Sequence, residues 1–237
     1  MPGSKVQASD KKHRFKRVLA HIKYLNALSP TIQDELARSA QERRFRKGQI
    51  IYMEGEPATA LYFIETGWVK SVRVSSDGRE QAMLCLCAGE IFGEAGVLTR
   101  SPYPCTVIAL EDTVVWRVGA EDLHRIMARH HAFAMAMSKW LSERIRYYID
   151  LVEDLSLCGV EARVARTLLR HAQFVQGRWV VLRRAWSTFD EMAVRLGTVR
   201  DVLSRSLRAL EKEGVIKVHR QEIEILDPER LRRRGRL

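Results

Sequence analysis

The residues of this sequence best suited to chemistry are those able to touch a nucleic acid. A run from Thr188-Phe189-Asp190-Glu191-Met192-Ala193 through Val194-Arg195-Leu196-Gly197 continues as Thr198-Val199-Arg200-Asp201-Val202-Leu203-Ser204-Arg205-Ser206-Leu207. Arg200, Asp201, Ser204 and Arg205 fall on one side of a helical repeat near its start, with Thr198 just ahead of them. Arginine can pair twice with guanine O6 and N7, and an acidic side chain can accept from cytosine N4. The N-terminal part of such a helix is the part that enters a major groove. Lys217, His219 and Arg220 follow between two short strand-like runs, where cations would meet phosphate oxygens. A second group is thiol-bearing. Cys85 and Cys87 lie two apart on a strand-like run and so face one way. With Cys105 they can form a redox switch or a soft-metal site; the plainer expectation is small apolar residues filling an interior. Four cysteines, Cys158 included, do not make a disulfide framework in a chain this long. A haem iron would need a histidine, but His124, His130 and His131 lack a distinctive ligand spacing and read as surface or helix-end residues. There is no Ser/His/Asp set, no glycine-rich phosphate loop and no ligand spacing for a metal, so neither catalysis nor a metal is expected.

The charge balance agrees with a nucleic-acid partner. The 237 residues carry a formal net charge of +11. Residues 160–237 hold 18 Lys and Arg against 10 Asp and Glu, an excess of 8, so the last third holds most of the surplus. Such a balance favours a polyanion, either nucleic acid or an anionic membrane surface. No window approaches the roughly 20 apolar residues that span a bilayer, and no basic amphipathic helix of the membrane-surface kind is evident. Residues 1–17 are polar and basic, lack the apolar run of a secretory signal, and read as a mobile leader. A cytoplasmic protein without a membrane partner is expected. A hydrophobic fraction of 46% supports a real core.

The elements that must position these residues can be read in order. Residues 30–40 read as a helix, with Ser29 to cap it and Pro30 in the first turn. From 45 to 118 short β-branched and aromatic runs at 50–52, 61–64, 69–74, 82–86, 106–110 and 114–118 predict a sandwich or barrel. Gly55-Glu56-Pro57, Asp77-Gly78 and Gly89 separate them, and Asp77-Gly78 is a hairpin signal. A short helix over 121–128 and a long one over 132–155 follow. In the long helix Leu141, Ile145, Tyr148, Val152 and Leu155 alternate four- and three-residue steps, as a coiled-coil seam does. A second apolar line, Phe133, Met137, Trp140 and Leu151, would cover the β-domain. On the residues alone, pairing with a second copy and packing within the chain both stay open. Gly159 marks a hinge. Beyond it lie a helix over 160–172, a strand over 179–182, and two helices over 190–196 and 200–213. Ala193 allows those two to approach closely, and Gly197 supplies the left-handed turn between them. Val202, Leu207 and Leu210 are expected on the buried face of the second. A hairpin over 215–226 would be a wing, and Arg232, Arg233 and Arg234 a basic tail.

Four stretches carry a family resemblance. They are Gly48-Gln49-Ile50-Ile51-Tyr52-Met53-Glu54-Gly55-Glu56-Pro57, Leu61-Tyr62-Phe63-Ile64-Glu65-Thr66-Gly67-Trp68-Val69-Lys70, Asp77-Gly78-Arg79-Glu80 and Gly89-Glu90-Ile91-Phe92-Gly93-Glu94. Together they resemble the cyclic-nucleotide-binding β-roll of the cAMP receptor protein/fumarate-nitrate regulator family, and the C-terminal segment resembles that family's winged helix. The likeness runs from about residue 25 to 227. It implies an α+β fold: an effector-sensing β-roll or jelly roll over 20–130, a dimerisation helix over 131–157, and a winged helix-turn-helix over 158–237. It implies a homodimer paired through Leu141, Ile145, Tyr148, Val152 and Leu155, binding inverted repeats in double-stranded DNA and acting on RNA polymerase.

The resemblance does not carry over the effector. In cAMP-binding members a Gly-Glu pair holds the ribose, and Phe92-Gly93-Glu94 is similar. An Arg-Ser pair further along holds the cyclic phosphate; alignment on Thr106-Val107-Ile108-Ala109 puts Tyr103 and Pro104 there. A tyrosine cannot neutralise a phosphate as a guanidinium does, and Arg100 is the nearby cation. The Thr-Ser pair that reads adenine becomes Tyr148 and Ile149. A pocket built from Phe92, Gly93, Glu94, Arg100, Tyr103 and Tyr148 would suit an apolar or aromatic molecule rather than cAMP. Iron–sulfur members carry an N-terminal cysteine cluster, and no cysteine precedes Cys85, so no cluster is expected. Some members act without any effector.

Overall fold

The structure, a computed structural model, describes residues 3–78, 80–182 and 189–235. Arg79 of the expected hairpin turn and Thr188, which opens the helix-turn-helix run, lie outside the described residues. The chain forms two compact units, residues 1–78 with 83–145, and residues 79–82 with 146–237.

The first unit begins with a correction. The expected mobile leader is a helix, α1 (Gly3–His21). Phe15, Val18, Leu19 and Ile22 recur at i, i+3, i+4 and i+7, which gathers them on one helical stripe, and all four are buried. Burial of each such side chain contributes about 1.5–3 kcal/mol. The Phe15 ring meets Phe63 edge-on with centroids 5.2 Å apart and lies 5.3 Å from Trp116. Arg14, one residue earlier, bridges Glu42 at 2.8 Å and Glu65 at 2.6 Å. Helix α2 (Pro30–Ser39) has Ser29 at its N-cap, but the serine hydroxyl makes no capping bond there.

Strands β1 (Ala40–Phe45), β2 (Ile50–Tyr52), β3 (Ala60–Thr66), β4 (Trp68–Val74), β5 (Glu80–Cys87) and β6 (Ile91–Phe92) precede the short helix α3 (Glu94–Thr99). Strands β7 (Thr106–Ala109) and β8 (Thr113–Gly119) complete two four-stranded sheets, ordered β1-β8-β3-β6 and β2-β7-β4-β5. Burial alternates along β5 and β7, the period-2 pattern of strands with one face on a core. Gly78 ends the β4–β5 turn at φ +82 and donates its N–H to Ser75 at 2.9 Å. Helix α4 (Ala120–Arg129) leads into α5 (His131–Leu157), whose first half buries Phe133, Met137 and Trp140.

In the second unit α6 (Val160–His171) follows Gly159, and β9 (Gln173–Val175) and β10 (Arg178–Leu182) form a hairpin. Then come α7 (Phe189–Arg195), α8 (Arg200–Lys212), β11 (Ile216–Val218), β12 (Glu222–Ile225) and α9 (Pro228–Arg234). The sheet order is β11-β12-β10-β9. The expected basic tail is therefore also helical. Asp227 caps it by accepting from the Arg230 N–H at 2.9 Å, and Leu231 is wholly buried in the core with Leu168, Leu207 and Leu210. Arg230 and Arg234 pair with Glu213, and Arg234 also with Glu161.

Candidate DNA interface and effector position

The turn between α7 and α8 depends on two small residues. Ala193 is 2% exposed, and its carbonyl accepts from the Thr198 N–H at 2.9 Å. Gly197 has φ +60, and a Cβ there would lie 2.7 Å from Leu155 Cδ2. Leu203, Leu207 and Leu210 form the buried face of α8. Leu203, rather than the expected Val202, anchors the first turn; Val202 is half-buried. The 203/207/210 spacing keeps one stripe inward, which turns Arg200, Asp201, Arg205 and Arg208 to the surface, with Thr198 and Ser204 half-buried beside them. Asp201 in the first turn also suits the positive end of the helix. Sequence reasoning passed over Val199. This apolar residue sits at the N-cap of α8 and is 64% exposed, the kind of group that can meet a thymine methyl. The β11–β12 wing carries Lys217 and Arg220 on its surface, and its turn closes with His219 N–H donating to Glu222 at 2.9 Å.

The effector position in the roll is built differently. Gly93 has φ +89, and a Cβ there would come within 3.0 Å of the Ala60 carbonyl, so the backbone passes where no side chain fits. Tyr103 is 2% exposed. Its hydroxyl donates to the Ala60 carbonyl at 2.9 Å and accepts from the Ala60 N–H at 3.1 Å. Burial pushes that phenol up to about 12. Tyr52 stacks on Tyr103 at 3.7 Å, and Tyr62 stacks on Phe92 at 5.0 Å. These four rings pack against one another beside Gly93, with Tyr62 and Tyr103 nearest to it. Glu94 is buried, which raises its pKa; Arg144 of α5 opposes that rise from 4.0 Å. Arg144 also donates to the Ile91 carbonyl at 3.1 Å and stacks on Trp140 at 4.6 Å. Arg100 does not point inward: it is exposed, in the left-handed region at φ +53, as the C-cap of α3. Tyr148 lies on the part of α5 that belongs to the second unit.

The thiols divide by face. Cys85 and Cys87 do share one side of β5, but it is the side opposite the buried Ala82, Leu84 and Leu86. They are half-exposed rather than interior, because the register that buries the three apolar residues turns both thiols outward. Burial against the turn and the nearby Glu90 push the Cys87 thiol up to about 12. Cys105 accepts from the Ser71 hydroxyl at 3.2 Å. No group of three or more metal-ligating side chains gathers among the described residues. Sequence reasoning also missed a cleft of about 410 Å³ where Arg17, Val18 and His21 of α1 face Ile64, Thr66 and Gly89; with α1 read as mobile, nothing signalled it.

A cyclic-nucleotide-type roll, a long helix and a winged helix-turn-helix in this order define a class of DNA-binding transcription regulators. Residues 42–130 match the cyclic nucleotide-binding domain, and residues 162–234 the Crp-like helix-turn-helix domain. The transcriptional regulator LdrP of Thermus thermophilus is 30% identical over 191 residues, covering 78% of this chain and 92% of that protein. A CRP-like cAMP-activated global transcriptional regulator of Mycobacterium tuberculosis is 27% identical over 221 residues, 92% of this chain and 99% of that one. The solved structure of FixK2 from Bradyrhizobium japonicum superposes with a TM-score of 0.73 at 26% identity, over 84% of this chain and 98% of the other. The chain belongs to the CRP/FNR family of transcription regulators.

Proposed function

We propose that this regulator works as a cytoplasmic homodimer that binds inverted-repeat sites, contacts RNA polymerase, and has no catalytic chemistry of its own. The observation that carries the reading is the surface of α5. Ile145, Ile149 and Val152 stand at i, i+4 and i+7 and are 58%, 61% and 63% exposed. An apolar stripe of that spacing wants a second helix. Ile149 replaces Leu155 in the sequence-derived seam, since Leu155 packs toward Gly197. Two linked recognition helices then meet half-sites about one helical turn, ~34 Å, apart.

We further propose that DNA binding does not require cAMP, although the M. tuberculosis relative is named as cAMP-activated. A cyclic phosphate leaving water needs a charged, hydrogen-bonding partner. Tyr103 already spends its hydroxyl on Ala60, and Arg144 lies beside Glu94. The roll then answers to a different molecule or to none. Sedimentation of the wild-type protein with and without a selected DNA site, together with calorimetric titration of nucleotide-free protein with cAMP, tests both parts. The expected result is a dimer that binds DNA and gives no heat with cAMP. Micromolar cAMP binding coupled to tighter DNA binding would restore cyclic-nucleotide sensing, and a monomer on DNA would remove the dimer.

A further inference from the structure

The end of α5 is fastened to the DNA-binding unit by a charge cluster around the buried Asp154 that the recognition motif does not use. Asp154 is 4% exposed. It accepts from Arg166 at 2.6 Å and from Arg170 at 3.2 Å, both on α6. Arg166 donates again to Glu153 at 3.1 Å and to the Gly235 carbonyl, past the end of α9, at 2.7 Å. The close approach uses the glycine, because a Cβ at 235 would lie 3.1 Å from Arg166 Cγ. Arg163, one turn earlier on α6, donates to the Cys158 carbonyl at 3.0 Å and to the Gly197 carbonyl, in the turn between α7 and α8, at 3.4 Å. All of these residues belong to the second unit.

The cluster surrounds a joint. Gly159 is extended at φ −63, ψ 163 and breaks the helix between α5 and α6, so its own torsions would let α6 swivel. The ion pairs cross that joint: Glu153 and Asp154 lie before it, Arg166 and Arg170 after it. Among these four ion-pairing side chains two carboxylates face two guanidiniums, so their charges balance. Pairs like these, with Asp154 buried and its partners partly exposed, add little net stability, because desolvation and solvent screening offset most of their attraction. They do select one geometry, since any other leaves the Asp154 carboxylate buried without its partners.

We propose that Asp154 is a positioning residue for DNA recognition: its pairs with Arg166 and Arg170 lock the angle between the end of α5 and the recognition helix, and so fix the spacer length that the dimer accepts. This rests on the homodimer reading above. One added base pair turns a half-site by about 34° and moves it by about 3.4 Å. A locked joint cannot follow that change, and a loosened one can.

The test starts with a preferred inverted repeat selected from random-sequence DNA by the wild-type protein. Binding is then measured by fluorescence anisotropy on that site and on versions with one central base pair added or removed. Wild type is expected to lose about tenfold or more in affinity at each altered spacer. Asp154→Asn is expected to sediment as a dimer, to bind the selected site within about fivefold of wild type, and to lose only about two- to threefold on the altered spacers. Arg170→Gln keeps the Arg166 pair, should fall between the two, and decides the matter if Asp154→Asn does not fold. An equal loss on all three spacers, leaving the ratios unchanged, would overturn the proposal and leave Asp154 a stabilising role alone. So would a wild-type dimer indifferent to spacer length. A wild-type protein that sediments as a monomer on DNA defeats the dimer reading itself and this inference with it, and sedimentation tells that failure from the others.

Discussion

Inside the roll, Tyr103 is bonded to Ala60, Glu94 lies beside Arg144, and Ser71 donates to Cys105. On α8, Arg200, Asp201, Arg205 and Arg208 stand at the surface of a helix whose other face is leucine. Both regions match models of the same family, and they place their polar groups differently: inward and bonded in the roll, at the surface on α8. A ligand site needs groups whose hydrogen bonds the ligand completes. Where the protein completes them itself, as Tyr103 and Ala60 do, fewer groups are left for a ligand to complete.

The comparison breaks most visibly at another exposed surface, the α5 stripe. Val152→Asp would bury an unpaired carboxylate in the proposed interface. The expected outcome is monomer in sedimentation and loss of inverted-repeat binding; an unchanged dimer would move the interface elsewhere. On α8, Arg205→Ala is expected to cost about 1–3 kcal/mol on a specific site and little on random DNA. Equal weakening on both would mean that Arg205 meets only phosphate. Within the roll, Tyr103→Phe removes the hydroxyl that answers both backbone groups of Ala60. It is expected to lower urea stability by about 1–2 kcal/mol and to leave DNA affinity unchanged; a variant that gains cAMP binding would show that the hydroxyl and its bonds to Ala60, not the ring, keep the nucleotide out. The smallest effect belongs to the outward thiols. With Cys87 pushed up to about 12, alkylation at pH 8 should run far below the rate of an ordinary cysteine and rise steadily with pH. Serine at both 85 and 87 should leave DNA binding unaltered.

Much of this architecture was legible because period and punctuation agree. The strand runs, the Asp77-Gly78 turn, and the Ala193 and Gly197 spacing each point to one local structure. Elsewhere charge concealed the signal. Phe15, Val18, Leu19 and Ile22 have helical spacing, but Lys11, Lys12, Arg14, Lys16 and Arg17 surround them, and the stretch reads as a solvated leader. Arg232, Arg233 and Arg234 hid Leu231 in the same way. Other misses were matters of phase. Choosing Leu203 over Val202, or the outer over the inner face for Cys85 and Cys87, requires knowing which neighbour the element packs against. The engagement of Tyr103 at the effector position was the least readable of all. The loss of an arginine shows in the sequence, but the pairing of Tyr103 with Ala60 joins residues 43 apart.

The stripe on α5 has a consequence for how this chain can diverge. The helix runs 27 residues without interruption, about 40 Å at 1.5 Å per residue. Ile145, Ile149 and Val152 follow one another along it at i, i+4 and i+7, each more than half exposed. Losing or gaining a single residue between Ile145 and Ile149 would turn everything beyond it by about 100°, splitting the stripe into two halves on different sides of the rod. Under the proposed pairing, substitutions can accumulate along this helix one at a time, while insertions and deletions are tolerated only in steps that restore the heptad. Among descendants of this gene, the segment should drift freely in composition and stay fixed in length.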